Sequence, residues 1–93
     1  MKKEKETVVN IFKRDYIIKS EEDDMYLYAV ARYVEDKMKE IEKSYDIVDT
    51  GKLAVLSAFD MARELFEIKT KIENIYKKID NIDKKLSYKL ANI

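Results

Sequence analysis

Cysteine, histidine and proline are absent from this chain, and glycine occurs once, at Gly51. Without cysteine there are no disulfides and no thiolate metal sites, which fits a reducing compartment. Without histidine, most general-base mechanisms and imidazole metal sites lose their usual residue. The lack of proline and near-lack of glycine predict few elements, mostly long ones. Acidic and basic residues number 19 each, so no global field steers nucleic acid. The balance also holds locally, with 10 basic and 12 acidic residues in the first 48 and 9 and 7 in the rest. No apolar run reaches the roughly 18–20 residues of a membrane span. The opening Met1-Lys2-Lys3-Glu4-Lys5-Glu6 has no apolar core behind it and does not read as a secretory signal. A cytoplasmic protein with no membrane partner is expected.

What is present is a one-sided apolar repeat. Ile68, Ile72, Ile75, Ile79, Ile82 and Leu86 are spaced alternately by four and three, and Ile93 returns in register a heptad later. A repeat averaging 3.5 residues keeps a seam on one side of a helix and calls for partner helices. The number and direction of those helices stay open at this point. Lys89 takes the seam position before Ile93, where fraying or a change of partner is expected.

The rest of the chain sorts into segments. Residues 1–6 form a charged flexible tail. Residues 7–19 read as a β-hairpin. Thr7-Val8-Val9-Asn10-Ile11-Phe12 and Tyr16-Ile17-Ile18-Lys19 are rich in β-branched and aromatic residues, and Lys13-Arg14-Asp15 lies between them as the turn. With no glycine there, Asp15 or a neighbour is expected in a left-handed conformation. Ser20 is the cap candidate for a helix over residues 21–45, with Glu21, Glu22, Asp23 and Asp24 in its first turn. Leu27, Val30, Ala31, Val34, Met38, Ile41 and Tyr45 give that helix one apolar face. Tyr26 and Tyr33 widen the stripe and are expected to pack.

Asp49 or Thr50 can cap a second helix running from about residue 50 almost to the end, roughly 60–65 Å at 1.5 Å per residue. Over residues 50–66 this helix is apolar nearly all round. Leu53, Val55, Leu56, Phe59, Ala62, Leu65 and Phe66 are expected to build the head and dimer core, partly covered by a second subunit. Residues 7–66 are thus read as a globular head and 67–93 as a coiled-coil stalk. The fold class is α+β, mostly helical: an N-terminal β-hairpin, one amphipathic helix, then a long helix forming an oligomeric coiled coil.

Catalysis has little to stand on. Paired carboxylates such as Glu21 and Asp24 sit where a helix start wants negative charge. There is no glycine-rich phosphate loop and no EF-hand-like spacing. No enzyme, cofactor, metal or small-molecule substrate is expected. The seven tyrosines could form a stacking platform for single strands, but their place along the apolar stripes suits packing better.

Three segments resemble the ZapA family of bacterial cell-division proteins, over about residues 7–70. They are Val9-Asn10-Ile11-Phe12 with Arg14 and Tyr16-Ile17-Ile18; Ala31-Arg32-Tyr33-Val34-Glu35-Asp36-Lys37-Met38; and Leu53-Ala54-Val55-Leu56-Ser57-Ala58-Phe59-Asp60-Met61-Ala62-Arg63-Glu64-Leu65. The last is the most specific. Two positions depart from the family pattern: Lys13 stands where the family usually has glycine, and Asp60 where it usually has asparagine. The first bears on turn geometry, the second on a hydrogen bond in the dimer core.

The resemblance implies a non-enzymatic protein that binds filaments of the tubulin-like GTPase FtsZ and bundles or cross-links them at the midcell division ring. It implies heads that dimerise and dimers that join through coiled coils into antiparallel tetramers. By the same resemblance the filament contact lies on charged head residues, with Lys13 and Arg14 as first candidates and Lys43, Asp46 and Lys52 next. Two other readings stand beside it: a generic cytoplasmic coiled-coil adaptor for another protein, and a small nucleic-acid binder using the basic hairpin tip, which the zero net charge disfavours.

Overall fold

A computed structural model describes residues 3–92. The chain forms an antiparallel hairpin followed by two helices: β1 (Lys5–Ile11), β2 (Arg14–Ser20), α1 (Asp24–Tyr45) and α2 (Thr50–Ala91). This is the mostly helical α+β architecture expected. Met1 and Lys2 of the anticipated tail, and Ile93 of the seam, lie outside the described residues. Lys5 and Glu6, placed in that tail from the sequence, belong to β1. They pair with Ser20 and Lys19. Two compact units divide the chain, Met1–Phe59 and Asp60–Ile93.

In the first unit, register and alternation explain the hairpin. Thr7 pairs with Ile18, Val9 with Tyr16 and Ile11 with Arg14. Thr7 and Val9 are buried, whereas Val8 and its partner Ile17 face water. The turn differs from expectation. It is Phe12-Lys13, both at positive φ (52° and 68°), and Arg14 and Asp15 already lie in β2. A two-residue hairpin needs two left-handed residues so that its twist matches the strands. Position 13, where the resemblance leads one to expect glycine, is one of them. Asp15 instead accepts a 2.9 Å hydrogen bond from the Asn10 side chain across the strands.

Helix α1 starts three residues later than expected. Its cap is Asp23, whose carboxylate accepts the Met25 N–H. Ser20 Oγ accepts the Glu22 N–H at 3.0 Å and shapes the preceding turn. Asp24 is drawn toward the sheet, accepting from Thr7 Oγ1 at 2.7 Å and lying 3.0 Å from Lys5 Nζ. The helix ends at Asp46, in a left-handed conformation, with its N–H donated to the Glu42 carbonyl.

Asp49 then caps α2, accepting from Gly51 N–H at 2.8 Å. A Cβ on Gly51 would stand 3.3 Å from that carboxylate oxygen, so the single glycine leaves the cap room.

Two small apolar clusters hold this unit. Val9, Leu27 and Ala31 form one, with Ile11 and Ile18 beside them. Met38, Ile41 and Leu53 form the other, with Ile11, Phe12, Val34 and Ile47 against it. Ile11 joins both. Val30 and Tyr45 of the expected stripe, and Tyr26 and Tyr33 beside it, remain largely exposed. Lys37 is buried despite its charge, its ammonium 3.5 Å from Glu40.

The second unit is the rest of α2. It is stitched along its own length by Arg63 to Asp60 at 2.6 Å and Lys84 to Asp80 at 3.1 Å. The Lys69 ammonium lies 5.5 Å from the centre of the Phe66 ring. Thr70 donates back to the Phe66 carbonyl at 3.0 Å.

Candidate interaction surfaces

The hairpin tip is tied to α1 through one acceptor. Phe12 N–H donates to Glu35 Oε1 at 2.8 Å, and Lys39 lies 3.8 Å from the other oxygen of that carboxylate. Phe12, Lys13, Glu35, Lys39, Glu42 and Lys43 line an open hollow of about 460 Å³. Two of the five candidate filament-contact residues, Lys13 and Lys43, thus meet on one surface.

The other three do not join them. Arg14 borders an apolar depression with Tyr16, Ile18, Val34, Met38 and Ala54. Lys52 lies by Asp49, Gly51, Val55 and Leu56. Asp46 is the C-cap of α1, so its position has a backbone role of its own. Sequence reasoning did not single out Glu35 as a site residue. The signal was available in the turn itself, whose unpaired N–H groups need an acceptor.

Along α2, the residues expected in a dimer core separate by burial. Leu53 is 1% exposed and belongs to the chain's own core. Ser57, one turn on, is equally buried and donates its hydroxyl to the Leu53 carbonyl at 2.7 Å. Val55 and Phe59 are exposed at 69% and 62%. Leu56, Ala62, Leu65 and Phe66 are also exposed in the single chain. In the second unit Ile68, Ile72, Ile75, Ile79, Ile82 and Leu86 are all about half exposed, a continuous apolar row facing solvent.

Electrostatics single out one group. Asp24 is held below the ordinary carboxylate range, chiefly by the Thr7 hydroxyl it accepts and then by Lys5. Among the described residues no cluster of three His, Cys, Asp or Glu side chains could hold a metal ion. No described helix is long and apolar enough to cross a membrane.

A cap-and-hairpin first unit followed by an apolar-faced helix matches a known family along almost its whole length. The model of the family "Cell division protein ZapA" matches residues 7–91. The chain belongs to the ZapA family of cell-division proteins. The match runs through the heptad seam, past the residues 7–70 over which the resemblance was legible. Bacillus pumilus ZapA is 35% identical over 69 residues, covering 74% of this chain and 81% of that protein. Bacillus subtilis ZapA is 33% identical over 73 residues, covering 78% and 86%.

Among solved structures, a ZapA mutant dimer from Geobacillus stearothermophilus superposes with a TM-score of 0.66 at 30% identity, over 83% of this chain and 90% of that one. A conserved bacterial protein from Pseudomonas aeruginosa PAO1, of unknown function, gives 0.76 at 21% identity, covering 95% and 98%, which speaks to fold alone.

Proposed function

We propose that this ZapA-family chain self-associates into homodimers and homotetramers through α2 and uses its first unit to bind and cross-link FtsZ filaments at the midcell division ring, in the cytoplasm. The observation that carries the reading is the exposed row from Ile68 to Leu86. Burying a large aliphatic side chain is worth about 1.5–3 kcal/mol, so six such residues facing water strongly favour a partner helix. Val55, Leu56, Phe59, Ala62, Leu65 and Phe66 form a second uncovered set, suited to a dimer contact nearer the hairpin unit. The solved dimer of the Geobacillus relative supports self-association.

Cross-linking then follows from valency. An assembly with two or more filament-binding units holds filaments together even when each unit binds weakly. Lys13 and Lys43 are the leading contact candidates because they share one hollow, with Arg14 next. The reading needs no catalytic group, cofactor or metal.

The test is solution mass by size exclusion with light scattering across a dilution series, followed by pelleting with FtsZ polymers. Four chains dissociating to two, with bundling that depends on this chain, are expected. A monomer at every concentration would end the proposal. An oligomer that leaves FtsZ unbundled would keep the assembly and remove the partner.

A further inference from the structure

The hairpin of the first unit has an open edge. Phe12-Lys13 is a two-residue turn, so Ile11 and Arg14 exchange the first ladder hydrogen bonds. Val9–Tyr16, Thr7–Ile18 and Lys5–Ser20 repeat that arrangement down the register. The N–H and C=O groups of Glu6, Val8 and Asn10 therefore point away from β2. Among the described residues, no bond outside the ladder takes their N–H groups. Proline or a bulge often blunts such an edge, and β1 has neither.

A groove of about 560 Å³ lies between β1 and α1 on this side. Val9 and Ala31, both buried, form its floor. Its α1 wall carries Tyr28, Arg32 and Asp36, all exposed and spaced by four. Strand and helix run in the same direction, since Thr7 bonds Asp24 near their starts and Phe12 bonds Glu35 further along. The Glu35 carboxylate is engaged by the Phe12 N–H and Lys39. Arg32 and Asp36 make no ion pair among the described residues.

We infer that this groove takes an extended peptide of a partner protein as a third strand, antiparallel to β1, and that it selects a basic residue followed two positions later by an acidic one. An open edge supplies the main-chain hydrogen bonds for strand addition, and the side chains beside it supply the selection. Arg32 and Asp36 are four residues apart on a helix, about 6 Å at 1.5 Å per residue. Alternate residues of an extended chain are about 6.6 Å apart and face the same side. Two peptide side chains on one face therefore match the two charges on α1. A strand antiparallel to β1 starts at the Phe12 end, so it passes Asp36 first and Arg32 second. The first matching residue is then basic and the second acidic, held by a guanidinium that can grip a carboxylate with two parallel N–H bonds. No residue of α2 lines the groove, and neither Lys13 nor Lys43 does. The inference thus stands apart from self-association and from the filament contact proposed above.

The test is a selection of random nine-residue peptides, displayed on phage, against the immobilised full chain. Enrichment of a lysine or arginine two positions before an aspartate or glutamate is expected. The best peptide is then synthesised with a fluorescent label and titrated by anisotropy. Arg32→Glu should weaken its binding by roughly fivefold. Arg32→Glu with Asp36→Arg should prefer the same peptide with its acid and base exchanged. Amide hydrogen exchange by NMR locates the contact: Glu6, Val8 and Asn10 should gain protection when the peptide binds. Circular dichroism checks that each variant keeps its helices.

No enriched peptide, or peptides that bind without protecting those three amides, overturns strand addition. Protection with no preference for charge order, or with a preference that both variants leave unchanged, overturns the role of Arg32 and Asp36. Enrichment of acid before base overturns the antiparallel direction. Protection of the three amides without peptide, appearing as light-scattering mass rises with concentration, gives the edge to a second copy of the chain and overturns the partner peptide.

Discussion

At the scale of single residues, the hairpin turn carries an unusual demand. Phe12 and Lys13 both sit at positive φ, and neither is the glycine or asparagine that tolerates it. The Phe12 side chain repays part of this by packing on the Met38–Ile41–Leu53 cluster, and its N–H by the bond to Glu35. Lys13 is exposed and has no such return. Lys13→Gly should therefore stabilise the protein by about 1 kcal/mol, read as a higher denaturation midpoint at fixed protein concentration. An unchanged or lower midpoint would show that the lysine is held there by a contact worth as much as the strain.

Asp24 makes the second residue-scale prediction. Its folded-state value lies below the ordinary one because Thr7 and Lys5 favour the carboxylate. Its contribution is thus present above the ordinary aspartate value near pH 4 and is lost as pH falls through the lower folded value. Asp24→Asn should weaken the protein at pH 7 and flatten the acid limb of stability against pH. Identical acid limbs would remove Asp24 from the account. This network was hidden in the sequence, where Asp24 was one of four consecutive acids. Thr7, 17 positions away, singles it out only after the hairpin has folded onto α1.

At the scale of elements, what was legible was whatever repeats. The 3.5-residue spacing of isoleucines marked the helix that ends at Ala91, and the β-branched runs marked both strands. Offsets of a few residues arose where a single polar contact decides a boundary. Asp23 outcompetes Ser20 as the cap, and the turn falls at Phe12-Lys13 because the cross-strand pairs Val9–Tyr16 and Ile11–Arg14 set the register. Coverage was legible only in part. Leu53 and Val55 look alike in the sequence, yet only the side of α2 carrying Leu53 and Ser57 is buried by its own chain.

The exposed side gives the prediction at this scale. Ile75→Glu with Ile82→Glu places two carboxylates on a seam that is apolar from Ile68 to Leu86. Each charge would be left buried and unpaired in an assembled core, a penalty of several kcal/mol. Tetramers should fall to dimers in light scattering, with helicity by circular dichroism largely kept. An unchanged mass would mean the seam is not the contact that joins dimers.

At the scale of the whole molecule, zero net charge gives the proposed filament binding no global field to draw on, so that proposal rests on local charge. Valency and affinity then become separable. On that proposal the seam variant should lower the number of binding units per assembly and leave each unit intact. Arg14→Glu should do the reverse. Arg14 lies in the first unit, at the start of β2, and is not one of the α2 residues proposed for self-association, so light-scattering mass should match wild type. If Arg14 touches the filament, reversing its charge should weaken each unit on the order of fivefold. In a bivalent cross-link the loss enters once per attachment, so bundling should fall by roughly the square of that factor. Co-sedimentation with FtsZ at low and high speed separates binding from bundling and reads both. Bundling that drops more steeply than binding, at constant mass, is the expected signature. Equal pelleting of variant and wild type at both speeds would take Arg14 off the surface and leave the hollow of Lys13 and Lys43 as the place to look.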